Sequence, residues 1–355
     1  MEQKSLLEIV ENHRQQGLPF VLYSLPGSNR VVALLQQDSQ LRTTDTFTTK
    51  SVIFAPFDFQ DIAYCIPEAE SKVFEVLLEV DRPDIITVAC DEEPAERDRY
   101  VQLVRDAIHN ILSKNAAKIV ISRKKDLQLT KFSFTNLFIR LFNLYPGAFR
   151  YIWYHPETGL WCGATPELLV RTEHTSFSSM ALAGTQIFNE KTPVYWNDKE
   201  IEEHQYVTDA ITTSLQKVTD VLKVSKTYTH HAGTLAHLRT DITGILRSGK
   251  ATLKTISGAL HPTPAVCGTP KKAAKNFILE KEGYNREFYT GFIGPICGND
   301  ACSSLYVNLR CMKIEGNTAT LYVGGGITLA SKAPEEWEET QNKLQTMLQV
   351  IEPML

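Results

Sequence analysis

Strand-like and helix-like segments follow one another along this chain of 355 residues without a regular order. Short apolar runs bounded by Gly, Pro, Asn and Asp occupy residues 20–23, 31–35 and 52–55 and predict strands. Apolar residues recur at helical spacing over 100–112 and 207–218. The segments show no βαβ rhythm and no internal repeat. This mixture predicts an α+β fold with large mixed, mainly antiparallel β-sheets and helices packed on their outer faces.

The second half of the chain continues the same mixture. We predict strands at 118–122 and 149–154, and a single uninterrupted strand at 304–313. A closing helix is predicted to begin at Pro334.

The length permits one large domain or two to three smaller ones. Because 43% of the residues are hydrophobic, the chain can bury a large core. We expect residues 1–92 to form an N-terminal β-rich part and residues 93–355 to carry the chemistry, within one continuous structural domain.

Charge and cysteine content exclude several classes of partner. The formal charge of -4 and the lack of a long Lys/Arg cluster argue against binding to nucleic acid. Seven cysteines, an odd number without a CxxC pair, favour free thiols and a reducing compartment, which we take to be the cytoplasm. No uncharged apolar run approaches the roughly 18 residues that cross a bilayer, so we expect no membrane partner.

Two pairs of glutamates have the spacing of a helix face. Glu200 and Glu203 stand three residues apart, and Glu336 and Glu339 repeat that spacing near the end of the chain. Such acidic runs are ordinarily solvated helix surfaces. Magnesium, however, needs only one or two carboxylates from a protein, since waters and substrate oxygens complete its octahedron. Both helices are therefore also candidates for a metal site.

Three other charged residues lie beside apolar segments. Lys118 begins a predicted strand, where a lysine is ordinarily solvated. Glu167 follows Pro166, a pattern typical of the first turn of a helix. Arg310 lies in an apolar run, and its planar guanidinium suits bidentate binding of a carboxylate.

Several motifs occur in a fixed order in the last third of the chain. They are His-Pro-Thr-Pro-Ala-Val-Cys-Gly at 261–268, Arg-Glu at 286–287, Arg310, and Glu-Trp-Glu-Glu at 336–339. Together they resemble the chorismate-utilising enzymes, which include isochorismate, anthranilate, aminodeoxychorismate and salicylate synthases. The variant of the motifs found here is most similar to that of isochorismate synthases.

The resemblance implies a role for each charged residue. Lys118 would be the general base and Glu167 the general acid, whose pKa would have to be raised by burial. Glu203 and Glu339 would bind Mg²⁺, with Glu200 and Glu336 as nearby or water-mediated supports. Arg310 and Lys343 would hold the enolpyruvyl carboxylate of the substrate.

The resemblance also implies a set of positions that contact the substrate. These are Gly184, Thr185, His237, Ala265, Val266, Tyr289, Leu309, Tyr322, Gly324 and Gly326. On the residues alone, Gly184 could equally be a turn glycine, His237 a core histidine, and the apolar and aromatic members ordinary core.

The activity implied is that of a magnesium-dependent isomerase that converts chorismate to isochorismate. Salicylate synthase is the main alternative, because Val266 replaces the more usual Leu. An anthranilate synthase component is less favoured, because ammonia-using relatives typically carry Gln where this chain has Lys118. A non-catalytic chorismate-binding relative is a further alternative. We expect a monomer without a glutamine amidotransferase subunit, and the sequence leaves open whether its product feeds menaquinone or siderophore synthesis.

Overall fold

The computed structural model describes residues 2–79, 83–187, 194–232, 235–298 and 302–355. The helices are α1 Gln3–Gln15, α2 Pro94–Leu112, α3 Phe134–Leu144, α4 Asp198–Leu215, α5 Leu253–Leu260, α6 Lys271–Lys281 and α7 Ala333–Ile351. The strands are β1 Phe20–Ser24, β2 Arg30–Gln36, β3 Arg42–Thr44, β4 Lys50–Ala55, β5 Ala63–Pro67, β6 Ser71–Leu77, β7 Lys118–Gln128, β8 Phe149–His155, β9 Gly159–Thr165, β10 Leu168–Glu173, β11 Ser176–Ile187, β12 Thr219–Val224, β13 Tyr228–Ala232, β14 Leu235–Leu246, β15 Gly268–Thr269, β16 Phe292–Cys297, β17 Cys302–Val307, β18 Cys311–Glu315 and β19 Thr318–Ile327.

The strands form two large antiparallel sheets. The nine-stranded sheet has the order β15-β7-β19-β18-β9-β8-β1-β2-β6. The ten-stranded sheet has the order β12-β14-β11-β10-β17-β16-β4-β5-β3, with β13 also paired to β14. Strands from the first 92 residues extend one end of each sheet. The predicted α+β class with antiparallel sheets is confirmed.

An aromatic core lies between the two sheets. Phe149 of β8 stacks on Tyr306 of β17 with ring centroids 4.3 Å apart, and Phe54 of β4 packs edge-on against Trp153 of β8 at 5.4 Å. Such pairs add to the stabilisation that comes from burying the rings. The sheets therefore face each other across an apolar interior.

The helices cover the outer faces of the sheets, as predicted. Helices α1, α3 and the end of α7 share an apolar cluster with the nine-stranded sheet, and α2, α6 and the start of α7 share a second cluster with it. Helices α4 and α5 cover the ten-stranded sheet.

Within the described residues, no helix is both long and apolar enough to cross a bilayer. All seven cysteines are free thiols, as their number and spacing predict.

The predicted single strand at 304–313 is wrong. The chain leaves the ten-stranded sheet at Val307 and enters the nine-stranded sheet at Cys311, so two strands stand where one was expected. Arg310 has φ 48°, a left-handed conformation that a strand does not contain. The buried Asn308 amide stabilises the crossover by donating to Phe288 O at 2.8 Å and accepting from the Tyr151 hydroxyl at 2.6 Å. Because apolar residues continue on both sides, the local pattern does not reveal the crossover.

Candidate active site

A run of three glycines in β19 forms the floor of the candidate site. Gly324, Gly325 and Gly326 pair with residues 120–122 of β7 and lie inside the strand, not at a bend. A Cβ on Gly326 would stand 2.7 Å from Lys118 Cε and 3.3 Å from Glu203 Oε1. A Cβ on Gly325 would stand 3.3 Å from Glu336 Oε2. The absence of side chains lets these charged groups close around one strand.

Lys118 lies at the start of β7 with only 3% of its side chain exposed. Its ammonium donates to Glu203 Oε1 at 2.7 Å, across from helix α4, and the Glu203 side chain is 18% exposed. The ordinary interpretation of a solvated lysine at a strand end is therefore wrong. The structure brings together a predicted base and a predicted metal ligand that are 85 residues apart.

Glu167 lies in the short link between β9 and β10, so the alternative of a carboxylate in the first turn of a helix is also wrong. Its peptide carbonyl accepts from Val307 N at 3.0 Å, which fixes the link to β17. Burial raises the pKa of the Glu167 carboxyl to about 7, although the Lys118 charge and the Thr263 hydroxyl act in the opposite direction. A carboxyl that titrates near neutrality can both donate and accept a proton, as a general acid requires.

Arg310 and Lys343 are two cations that both interact with Glu339. The Lys343 ammonium donates to Gly324 O at 2.8 Å and forms an ion pair with Glu339 at 2.5 Å. The Arg310 guanidinium donates to Lys343 O at 3.4 Å. Burial lowers the pKa of the Arg310 guanidinium. Arg310 was predicted to lie in a strand. The crossover between the two sheets instead takes it out of the strands and places its guanidinium beside the backbone of Lys343 in α7.

Glu339 is the most exposed carboxylate of the group, with 46% of its side chain accessible. Burial of the group acts to raise its pKa, but Lys343, Arg310 and Lys118 together hold the pKa below the ordinary value for glutamate. Its carboxylate is therefore ionised and open to the cleft at neutral pH.

The glutamates on α4 and α7 differ in what they already bind. Glu200 Oε2 accepts from Asn197 N at 3.0 Å in a capping box at the start of α4, and both its oxygens accept from Gln186 Nε2 of β11, at 3.0 and 2.9 Å. Glu336 is buried beside Gly325. The pKa of Tyr100 is raised first by the burial of its own hydroxyl and second by the charge of Glu336. Within the described residues, Glu203 and Glu339 instead have lysine ammoniums as the polar partners of their carboxylates, Lys118 and Lys343 respectively.

These carboxylates fit a divalent cation by their chemistry. Glu203 and Glu339 offer hard oxygen ligands, and each already binds a positive charge in the form of Lys118 or Lys343. Among the residues that the structure describes, no group of three or more His, Cys, Asp or Glu side chains is arranged as a metal site. In a site built on two carboxylates, waters and substrate oxygens would supply the remaining ligands.

Gly184 lies within β11, not in a turn. It has φ 71° and sits at a β-bulge, where the pairing with β14 shifts between Ala183 and Thr185. Its carbonyl accepts from His237 Nδ1 at 3.1 Å, and burial lowers the pKa of that histidine. Thr185 of β11 lies opposite His237 of β14 in the sheet, and the side chain of Thr185 lies outside what the structure describes. The bulge therefore orients His237, whose pKa is also lowered by Arg310 and Lys343.

Most of the apolar and aromatic residues predicted to contact the substrate also pack in two apolar clusters, one under α4 and α5 and one between the sheets. Tyr289 stacks on Tyr322 with centroids 5.4 Å apart, and its hydroxyl would stand 3.1 Å from a Cβ on Gly324. Val266 packs in the core under α4 and α5, Leu309 adjoins both cores, and Ala265 is partly buried. The aromatic pair thus adjoins the glycine floor.

Sequence reasoning missed one feature of the site. Arg286 entered only as part of a motif and Glu282 not at all, yet they form a buried ion pair that hydrogen-bonds to β7 and to Val266. Their spacing of four residues, the spacing of helical ion pairs, was the available signal.

Comparison with known proteins agrees with the motifs. The model of the chorismate binding enzyme family matches residues 36–352. The isochorismate synthase EntC of Escherichia coli K12 is 29% identical over 310 residues, which cover 84% of this chain and 77% of EntC. The isochorismate synthase DhbC of Bacillus subtilis is 35% identical over 199 residues, which cover 53% of this chain and 50% of DhbC. The solved structure of the menaquinone-specific isochorismate synthase MenF from Escherichia coli shares the fold, with a TM-score of 0.80, 22% identity, and coverage of 96% of this chain and 90% of MenF.

Proposed function

Since the chain belongs to the chorismate binding enzyme family, we propose that it is an isochorismate synthase, an isomerase that interconverts chorismate and isochorismate. The observation that carries the proposal is the pair formed by Lys118 and Glu167. Both side chains are buried, they interact electrostatically, and the Glu167 carboxyl has a pKa of about 7. Relatives that carry the name isochorismate synthase support the same activity.

The proposed reaction exchanges one ring hydroxyl for another. Lys118 removes a proton from a water molecule, whose oxygen forms a bond to C2 of the ring. The ring double bonds shift, the bond from C4 to its hydroxyl breaks, and Glu167 protonates the departing oxygen. One water is consumed and one is released, so the composition of the substrate does not change.

The substrate carries two carboxylates, and a chain with a net charge of -4 does not attract an anion. Positive groups within the site must therefore bind the two carboxylates. Arg310 and Lys343, which both interact with Glu339, suit the enolpyruvyl carboxylate. We propose Glu203 and Glu339 as the ligands of Mg²⁺, which when bound would neutralise and orient the ring carboxylate. The ring would then lie between Lys118 and Glu167.

The decisive experiment is product analysis. Purified protein incubated with chorismate and Mg²⁺, with and without ammonium, is expected to yield isochorismate in a mixture with chorismate, since the exchange changes few bonds. No amidotransferase subunit should be needed. Salicylate with pyruvate as the main products would indicate a salicylate synthase, and anthranilate on adding ammonium would indicate an anthranilate synthase component. Chorismate binding without any product would indicate a non-catalytic relative.

The pH dependence of kcat/KM should identify Glu167. In either direction of the reaction, the Lys118–Glu167 pair must carry one proton in total. Lys118 forms an ion pair with Glu203 in the structure. Glu167 loses its proton as pH rises through its pKa of about 7, so the Lys118–Glu167 pair holds one proton fewer above about pH 7 than below it. We therefore expect kcat/KM to rise through about pH 7, with the same profile for chorismate and isochorismate. An acidic limb that starts near pH 4.5 would contradict this.

A further inference from the structure

Arg286 and Glu282 form a buried ion pair beneath the candidate site, with side chains 1% and 0% exposed. All five N–H donors of the guanidinium are used. Two bonds go to the Glu282 carboxylate, and the other three go to Val120 O at 2.8 Å, Val266 O at 2.9 Å and Thr290 Oγ1 at 3.1 Å. The ring of Phe57 lies 4.6 Å from the guanidinium carbon.

Each partner of this pair belongs to a different wall of the site. Val120 follows Lys118 by two residues on β7, and Glu282 Oε1 also accepts from Ser122 N on the same strand at 2.8 Å. Val266 lies in the loop that lines the pocket. Thr290 in turn donates to Tyr289 O at 2.5 Å, and Tyr289 adjoins Gly324. The pair therefore joins the strand of the proposed base, the pocket loop and the aromatic wall.

Stability alone does not account for this arrangement. Removing two charges from water is costly, and a buried ion pair is often no more stabilising than apolar residues of the same volume. A forked arginine does provide fixed directions for several hydrogen bonds at once. The ion pair instead fixes the relative positions of three segments: β7, the loop at Val266, and the segment of Tyr289 and Thr290.

From this geometry we infer that Glu282 and Arg286 are positioning residues for the acid–base reaction. They hold the β7 backbone, and with it Lys118, at a set distance from the loop and the aromatic wall that confine the ring. The inference rests on the proposed isochorismate synthase activity, since it concerns how Lys118 is aimed. Neither residue needs to touch the substrate.

The test compares Arg286→Lys with wild type. A lysine keeps the charge opposite Glu282 but lacks the planar fork, so it cannot maintain the bonds to Val120 O and Val266 O together. We expect kcat per chorismate-binding site, counted by calorimetry with Mg²⁺, to fall at least about tenfold, because a misplacement of about 1 Å can cost about 10²-fold. The KM for chorismate should stay within about threefold, because Arg310 and Lys343 are not bonded to this pair.

Arg150→Lys is the matched control. Arg150 is equally buried and donates to Phe142 O, Ser24 Oγ and Ser28 O, none of which belongs to the site. This variant should lose thermal stability while kcat per binding site remains that of wild type. If both variants leave kcat per binding site unchanged, or both lower it equally, Arg286 acts only in folding and the inference is overturned.

Thr290→Val covers the case in which Arg286→Lys does not fold. It removes the hydroxyl between Arg286 and Tyr289 while leaving the buried charges paired, so we expect a drop in kcat of about threefold to tenfold with KM unchanged. Wild-type kcat in this folded variant would overturn the inference if Arg286→Lys yields no folded protein. Failure of the proposed function is seen separately, because the wild-type protein would then form no isochorismate.

Discussion

Glu203→Ala and Glu339→Ala are each expected to lower turnover of chorismate by about 10³-fold or more. Each change removes a proposed ligand of Mg²⁺ and so the anchor of the ring carboxylate. Electrostatic stabilisation by a metal is worth several kcal/mol, and about 1.4 kcal/mol corresponds to a factor of ten. Turnover is measured by chromatography of products, and Mg²⁺ binding by calorimetry in the presence of chorismate.

Glu202→Ala and Glu338→Ala are the matched controls. Each replaces an exposed glutamate that adjoins one of the proposed ligands on the same helix, so the charge of the protein changes equally. Both controls should retain near wild-type turnover and Mg²⁺ binding, and a chelator should reproduce the loss seen with the ligand variants. Full turnover in chelator, or in either ligand variant, would mean that α4 and α7 present an ordinary acidic surface.

Lys118→Ala and Glu167→Gln are each expected to reduce turnover by about 10² to 10⁴, the usual contribution of a general acid or base. Because the reaction is reversible, Glu167 takes the proton and Lys118 returns it when isochorismate is the substrate. Both variants must therefore lose the two directions alike. Initial rates with saturating chorismate and with saturating isochorismate measure this directly.

Lys124→Ala and Glu173→Gln provide the comparison for these two changes. Lys124 is an exposed lysine on the same strand as Lys118, and Glu173 is an exposed glutamate at the end of β10, the strand that follows Glu167. Neither control should change turnover, and Lys118→Ala and Glu167→Gln should still bind chorismate with Mg²⁺. A variant that loses only one direction, or that keeps near-normal turnover, would show that the acid and base are other residues.

Local patterns were sufficient to predict several of the helices and strands. The apolar period predicted α2 and the second half of α4, although α2 begins at Pro94, six residues before the predicted start at 100, because proline is favoured in the first turn of a helix. Turn residues separated β1, β2 and β4 correctly. These signals depend on neighbours within a few residues, which the sequence displays directly.

Interpretation of single residues failed where the environment comes from distant segments. Lys118 and Glu167 had ordinary surface interpretations, yet both are buried, and the raised pKa of Glu167 results from surroundings that other strands and loops supply. Only the resemblance to the family directed attention to them. Burial is a property of the packed chain, and no short window of sequence contains it.

By itself the sequence determined the α+β class and several helices and strands, and its motifs singled out residues that the structure brings into contact, Lys118 with Glu203 and Lys343 with Glu339. The tertiary structure alone decided the crossover at Arg310, the bulge at Gly184 and the pair formed by Glu282 and Arg286. The physical reason is the range of the interactions. Helix and strand periods arise from neighbouring residues, whereas the crossover, the bulge and the buried pair arise where strands distant in sequence fit against one another and every buried polar group must find a partner.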